Sequence, residues 1–255
     1  MLPARMARVA TIGRFEGGLR LGRFSAKARG GKVDAGFAER ARNQTNRGGG
    51  KSPCGLRQSG NGATKAMNDT IALLKRRRSV PPANITTPGP TQAEIETLLT
   101  IASRVPDHGK LAPWRFITFE GAARDRAGAL ALALKLADKP DLDEDARALE
   151  TKRFSHAPLV IAVVSRAAPH VKIPEWEQTL SAAAACMNLV IATNALGYVA
   201  GWVTEWCAYD ARFREAIGLA EHERVVGFVH IGSPRVVMED RPRPALSDIV
   251  TAFAP

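Results

Sequence analysis

The segment 103–114, with the sequence SRVPDHGKLAPW, carries an unusual density of side chains able to bind a ligand. It contains one Gly, two Pro, three potentially cationic side chains and one carboxylate. Pro106 and Pro113 fix two backbone angles, and Gly109 can adopt conformations closed to other residues, so the loop should hold one shape. A rigid loop that is rich in donors is suited to gripping a polar ligand.

A second basic stretch, KRRRS at residues 75–79, ends a predicted helix just before the double proline at 81–82. Cations suit a helix C-terminus, so a solvated helix end is the ordinary interpretation. Three arginines and a serine also form a fork-shaped donor set for an anion. The spacing alone does not decide between these two interpretations.

The excess of positive over negative charge is confined to the first quarter of the chain. A formal net charge of +11 is typical of nucleic-acid-binding proteins. However, residues 1–66 carry 14 Lys and Arg against 3 Asp and Glu, whereas residues 67–255 carry 22 against 22. Residues 1–66 also hold 13 of the 22 glycines and few apolar clusters, which predicts a disordered basic extension.

Three interpretations of residues 1–66 are open: a nucleic-acid-binding arm, an organelle-targeting peptide, or residues absent from the natural product because translation starts at Met67. We favour the third, because a predicted helix opens directly after Met67 with Asn68 or Asp69 as its N-cap. Residues 67–255 are then the functional domain. A native protein whose mass begins at Met1 would contradict this hypothesis.

Several classes of protein are disfavoured by what the sequence lacks. The three cysteines form no paired motif and the five histidines show no metal-ligand spacing, so we expect neither a disulfide framework nor a bound metal. No continuous apolar run opens the chain, and a reducing cytoplasm is expected. The uncharged stretch 180–204 contains polar residues and lacks a basic flank, which favours a buried helix and strand over a membrane span.

The sequence predicts that helices and strands alternate along the part of the chain that carries the two basic stretches. Thr91 and Glu94 form a predicted capping box at the start of one helix. A later helix begins near Pro174, where Glu175 and Glu177 are interpreted as helix-end charge, and is rich in small residues that permit close approach of another helix. The other predicted helices are 121–137, 141–153 and 209–217, and the predicted strands are 115–119, 158–165, 199–204 and 225–232.

Five motifs form an ordered set across residues 67–255: RRS at 77–79, RVPDH at 104–108 running on to PW at 113–114, PEWEQ at 174–178, GWVT at 201–204 and GFVHIGSP at 227–234. Together they resemble the nitroreductase family of flavoenzymes, most closely its YdjA-like branch. The resemblance implies an α+β fold with a central, mostly antiparallel sheet of four to five strands wrapped by helices. It also implies a homodimer that holds FMN non-covalently at its interface.

The resemblance also implies which residues bind the flavin. Arg77, Arg78 and Ser79 would contact the phosphate and ribityl chain, and Arg104 and His108 would make further contacts from the rigid loop. The isoalloxazine would be lined from the other subunit by Trp202, Val203 and Thr204, while the tail would close on the phosphate through Arg241, with Arg243 as the alternative. Where the family often has another arginine this chain has Pro81, so phosphate neutralisation should depend on Arg78 and the tail.

The implied activity is that of an FMN-dependent oxidoreductase with two half-reactions at one site. NAD(P)H would reduce the flavin and leave, and a nitroaromatic, quinone or similar electron-poor acceptor would then take the electrons. No side chain is nominated as a catalytic acid or base. The alternatives are a non-catalytic flavin-binding protein, a nucleic-acid binder that uses the basic arm, and a flavin dehydrogenase or dehalogenase on the same scaffold.

Overall fold

The computed structural model describes the backbone of residues 62–254 and the side chains of residues 69–254. The predictions for residues 1–61 lie outside this described range. The helices are α1 (Gly62–Arg76), α2 (Gln92–Ala102), α3 (Ala122–Asp138), α4 (Glu144–Lys152), α5 (Glu175–Ala195), α6 (Ala211–Ala216) and α7 (Leu246–Ile249). The strands are β1 (Ile85–Thr86), β2 (Trp114–Glu120), β3 (Leu159–Ser165), β4 (Val199–Val203) and β5 (Arg224–Pro234).

The five strands form one antiparallel sheet that is organised around β5. The long β5 pairs with β3 over most of its length, with β4 over its second half, and with β1 at its last two residues. β2 completes the sheet by pairing with β3. The predicted α+β class, with a mostly antiparallel sheet of four to five strands, is therefore confirmed.

Alternation along β3 explains why helices cover both faces of the sheet. All seven residues of β3 are buried, so neither face of this strand is left to solvent. Its side chains at 159, 161 and 163 pack with α2 and α5, while those at 160, 162 and 164 pack with α3 and α6. Because side chains alternate between the faces of a strand, β3 contributes to two cores in a three-layer arrangement.

Helix α5 and strand β4 together account for the long uncharged stretch of the sequence. The helix ends at Ala195, Gly197 turns the chain with φ of 89°, and β4 follows directly, as the sequence predicted. Across residues 62–254, no helix combines the length and apolar character needed to cross a membrane. The predicted capping box is also confirmed, and the Tyr198 hydroxyl donates to Glu94 (3.0 Å), which ties α2 to the chain just before β4.

Three local features differ from the sequence-based expectations. α1 begins at Gly62, five residues before the expected domain start, so the predicted N-cap at Asn68 or Asp69 is wrong. Residues 63–66 contain no helix breaker that would force a start at Met67. The short β1 and α7 were not predicted, because two or four residues are too few to show a period, and β1 exists only through its pairing with β5.

A buried histidine lies in the middle of β5. His230 is only 2% exposed, its Nδ1 has no hydrogen-bond partner among the described residues, and its ring is 6.4 Å from that of Phe154. Burial, followed by the nearby charges of His156 and Arg153, lowers the pKa of His230 to about 3. The folded protein therefore holds this imidazole neutral at every pH at which the fold is expected to be stable.

This lowered pKa predicts a loss of stability in mild acid. An unfolded chain protonates His230 below its ordinary pKa of 6.5, whereas the folded chain does so only near 3, so unfolding takes up a proton between these values. Stability should fall as the pH drops through this window, by roughly 2 kcal/mol from pH 6.5 to 5. Denaturant unfolding of wild type and His230→Phe at both pH values would test this, because the variant should lack that part of the loss. Equal losses in both proteins would contradict it.

Candidate functional site

The basic end of α1 lies directly against strand β4. Ser79 forms a parallel bridge with Ala200, and the Val80 N–H donates to the Ala200 carbonyl (3.0 Å). A Cβ at Gly201 would lie 2.3 Å from the Val80 carbonyl oxygen, far closer than real contacts allow. Gly201 is therefore the residue that lets the two backbones approach so closely.

The arginine at position 78 reaches from this segment to the C-terminal tail. Its side chain is 17% exposed, donates to the Glu239 carbonyl and lies 3.6 Å from the Asp240 carboxylate. The Arg243 guanidinium lies 3.7 Å from the same carboxylate, and the backbone N–H of Arg241 also donates to it (2.9 Å). Two guanidinium groups therefore converge on one anionic group, with Arg243 rather than Arg241 supplying the second side chain.

Arg77 and Arg78 also line a cavity of about 270 Å³ between α1, the end of α5 and the tail. Arg76 and Asn194 also line it, and the rest of its wall is apolar, formed by Leu73, Val80, Val199, Pro234, Val236, Val237 and Met238. A cavity with guanidinium donors on one side and hydrocarbon on the other suits an anion attached to an organic body.

The end of β4 presents Trp202 and Val203, and Thr204 follows directly after the strand. Trp202 is 37% exposed and its indole N–H donates to the Val226 carbonyl (3.1 Å). A Cβ at Gly227 would lie 2.1 Å from that indole nitrogen, so the glycine leaves room for the ring against β5. In residues 62–254 β4 pairs with only one strand, β5, so beyond the Ser79 bridge its second edge offers backbone donors and acceptors.

The loop between α2 and β2 is held rigid by a carboxylate as well as by its prolines. Asp107 accepts hydrogen bonds from the backbone N–H groups of Leu111 (3.0 Å) and Ala112 (2.8 Å). Gly109 has a φ of 72°, as expected, but Lys110 and Ala112 also have positive φ, at 57° and 45°. Sequence reasoning missed this role of Asp107. It could have been inferred from the tendency of aspartate side chains in turns to accept hydrogen bonds from nearby backbone N–H groups.

The same loop is docked on α5 at two points along the helix. The Ser181 hydroxyl donates to the Pro106 carbonyl (2.6 Å) and accepts from the Trp114 indole N–H (3.2 Å). The Asn188 amide donates to the Arg104 carbonyl (3.0 Å). The polar residues that interrupt this long apolar helix therefore fix the loop in place.

His108 is paired with a glutamate that the sequence suggested was only helix-end charge. Its Nδ1 lies 2.7 Å from the Glu177 carboxylate, which places the proton on Nδ1 because an ionised carboxylate only accepts. Both side chains remain substantially exposed. Arg104 is exposed as well, and no other described side chain offers it a hydrogen bond or ion pair.

The nominated residues therefore form two groups within one protomer. Residues 77–79, 202–204 and the tail arginines lie together around β4, whereas Arg104 and His108 lie on the loop docked to α5. Among the described residues, no hydrogen bond or ion pair joins the two groups. Gly201 lets residues 77–79 and β4 pack side by side in one chain, while the expectation that residues 202–204 line the flavin ring from the other subunit stays a prediction.

The two described cysteines take no part in either group. Cys186 and Cys207 are free and buried. Burial raises the pKa of the Cys207 thiol to about 12 and raises that of Cys186 further still. Neither thiol is therefore ionised enough at neutral pH to act as a nucleophile.

Comparisons with known proteins agree on one family. The family model described as the nitroreductase family matches residues 74–233. A relative named "Putative NAD(P)H nitroreductase YdjA" from Escherichia coli K12 is 32% identical over 170 residues, which cover 66% of this chain and 90% of the relative.

Solved structures of similar fold come from other bacteria. A nitroreductase-like family protein from Bacillus cereus is 24% identical, with a TM-score of 0.61, and the match covers 72% of this chain and 95% of that one. A nitroreductase with bound FMN from Bacteroides fragilis is 18% identical, with a TM-score of 0.56, and the match covers 73% of this chain and 100% of that one. At these identities the likeness concerns the fold.

The close approach at Gly201 predicts a local effect of Gly201→Ala. The added methyl should push residues 79–81 away from β4, lower the free energy of unfolding by roughly 1–3 kcal/mol, and break the Val80 to Ala200 hydrogen bond. Amide hydrogen exchange should therefore show early loss of protection at Val80.

Gly128→Ala is the matched control, because its Cβ would lie 2.0 Å from the Thr151 carbonyl and force α3 from α4. This control should lower stability without selectively exposing the Val80 amide. Unchanged protection at Val80 in Gly201→Ala would contradict the assigned role of the glycine.

Proposed function

This chain belongs to the nitroreductase family, and from that premise we propose that it is an FMN-dependent oxidoreductase that passes electrons from NAD(P)H to nitroaromatics, quinones or similar electron-poor acceptors. The relatives that support the cofactors are the protein named an NAD(P)H nitroreductase and the nitroreductase with bound FMN. The observation that carries the proposal is the bridge between Ser79 and Ala200. This bridge places residues 77–79, whose side chains can donate hydrogen bonds to a phosphate, beside the exposed edge of β4 on one surface.

The residues on this surface fit the chemical parts of FMN. The phosphate is dianionic, and Arg78 and Arg243 already converge on an anionic group, the carboxylate of Asp240. The flavin ring needs a flat wall and backbone donors, which the edge of β4 at Trp202 and Val203, together with Thr204 just after it, would supply. Ser79 lies against β4 through its bridge with Ala200, and Arg77 lines the same cavity as Arg78, so both are proposed to contact the ribityl chain.

A homodimer would complete the site, because Arg104 and His108 lie apart from this surface within one protomer. We assign them to the flavin bound on the partner subunit. Uncovered apolar side chains support such an assembly, since Leu180 on α5 is exposed and the tail leaves six large apolar residues open, namely Val236, Val237, Leu246, Ile249, Val250 and Phe253. Burial of this surface against a second copy would stabilise both chains.

The protein residues act by binding and orientation rather than by covalent or acid-base steps. FMN, when bound, supplies the two-electron relay by which a hydride from NAD(P)H is stored and then passed to the acceptor in two half-reactions. Arg78 and Arg243 would anchor the phosphate, and β4 would orient the ring. Neither described cysteine is a usable nucleophile, and His230 is too deeply buried to exchange protons with a substrate.

The direct test is a flavin titration followed by stopped-flow reduction. Purified apoprotein should quench FMN fluorescence at about one flavin per chain, and the bound flavin should bleach under anaerobic mixing with NADH or NADPH. Reoxidation by a nitroaromatic or a quinone, with parallel-line steady-state kinetics, would support two half-reactions at one site. Protein that takes up no FMN would overturn the proposal, whereas protein that binds FMN without reduction by either nucleotide would leave a non-catalytic flavin binder.

Arg78→Ala should weaken FMN binding measurably. Loss of a charge-assisted contact costs roughly 1.5–3 kcal/mol, which corresponds to a rise in Kd of about ten- to hundredfold. Because Arg78 already bonds to Glu239 and Asp240 in the free protein, the lower part of that range is expected. Fluorescence titration with FMN would measure the change.

Two further variants sharpen this prediction. Arg126→Ala removes the same charge from an exposed position on α3 and should leave the Kd for FMN unchanged. Asp240→Asn removes the carboxylate that competes with the phosphate for Arg78 and Arg243, so it should tighten binding. Equal effects of the Arg78 and Arg126 substitutions would mean that only net charge matters and that the assigned contact is absent.

A further inference from the structure

A strained residue lies two positions after the end of strand β4. Glu205 has a φ of 54° and a ψ of −177°, a backbone conformation that side-chain-bearing residues rarely adopt. It follows Thr204, one of the residues proposed to line the flavin ring. Such strain persists only where surrounding contacts over-determine the conformation, and it concentrates at functional sites.

A largely buried ion-pair network holds Glu205 in this conformation. Its carboxylate pairs with the Arg153 guanidinium, which also binds both carboxylate oxygens of Glu150 at 2.7 Å. Glu150 is only 6% exposed and accepts a third hydrogen bond from the Trp206 indole N–H (3.2 Å). Every oxygen of the buried carboxylate is thus paired, and this makes the network rigid.

The chain after Glu205 is fixed from a second direction. The Lys135 ammonium lies 4.3 Å from the centre of the Trp206 ring, a distance typical of a cation–π contact. The next residues, Cys207 and Ala208, are buried in the core on the α3 side of the sheet. Glu205 is therefore the single strained link between the exposed edge of β4 and a firmly anchored turn.

We propose that Arg153 and Glu205 form a clamp that sets the direction of the Thr204–Glu205 peptide group and so tunes the flavin. This inference rests on the proposed function, because it assumes that the flavin ring binds beside the end of β4. Held in one direction, this peptide group would present a fixed dipole to the edge of a bound flavin ring. Hydrogen bonds and charge at that edge govern how easily a flavin accepts electrons. Arg153 and Glu205 are positioning residues, since neither is assigned a contact with the substrate.

The Arg153–Glu205 pair is best broken by substituting Glu205. Removal of Arg153 would leave the buried Glu150 charge unpaired and destabilise the whole fold. Glu205→Gln and Glu205→Ala remove the same charge, but only the glutamine amide oxygen can still accept from Arg153. The difference between these two variants therefore isolates the geometric effect from the loss of a negative charge beside the flavin.

We expect Glu205→Ala to have a Kd for FMN about tenfold higher than that of Glu205→Gln, together with a shifted midpoint potential of the bound flavin. Both should be measured on FMN-loaded protein, by fluorescence titration and by anaerobic spectroelectrochemistry. Asp138→Ala serves as the control, since it breaks a comparable carboxylate–arginine pair with Arg212 at 2.7 and 2.8 Å. It should alter neither the Kd nor the potential.

The outcomes separate this inference from the proposed function. If wild type binds FMN but Glu205→Ala and Glu205→Gln share the same Kd and potential, the clamp is overturned and the function stands. Wild type that takes up no FMN overturns both. If Glu205→Ala does not fold, Glu205→Gly takes its place because glycine accepts a positive φ, and a potential equal to that of Glu205→Gln would again overturn the clamp.

Discussion

The contact on which the candidate site depends is the hydrogen bond from the Val80 N–H to the Ala200 carbonyl, with Gly201 beside it. It joins the end of α1 to the edge of the sheet, two parts of the chain that are far apart in sequence. The arginines before it and the tryptophan strand after it share one surface only because no side chain intervenes at Gly201. This backbone approach creates a donor set and a strand edge in one place.

The second group of residues is prepared by a different kind of constraint. Asp107 bonds to two backbone N–H groups of its own loop, and Ser181 and Asn188 fasten that loop to α5. The loop thus holds the backbone at His108 and Arg104 in place, and among the described residues no hydrogen bond or ion pair joins these two side chains to the residues around β4. A site divided in this way is consistent with assembly from two copies of the chain, which would bring a fixed loop to a fixed strand.

Buried ionisable side chains near the site both hold the backbone in place and make the stability of the fold depend on their charge state. The network of Glu150, Arg153 and Glu205 ends at β4, while His230 on the neighbouring β5 is held neutral within the sheet. The ion-pair network holds a strained backbone because its charges are paired. The buried His230 is stable only while its imidazole is neutral. The stability of the sheet that positions the candidate site should therefore fall if one of these ion pairs is broken or if His230 is protonated.

By itself the sequence determined the mixed α and β content, the bounds of four strands to within a few residues, the capping box and the two basic stretches, because these depend on short-range periodicity and capping chemistry. Only the tertiary structure decided that residues 77–79 lie beside β4 in one chain, that Arg243 and Arg78 share Asp240, and that Arg153 restrains Glu205. These contacts join residues distant in sequence. Such pairings are selected by how whole elements pack, and no local pattern of residues encodes that packing.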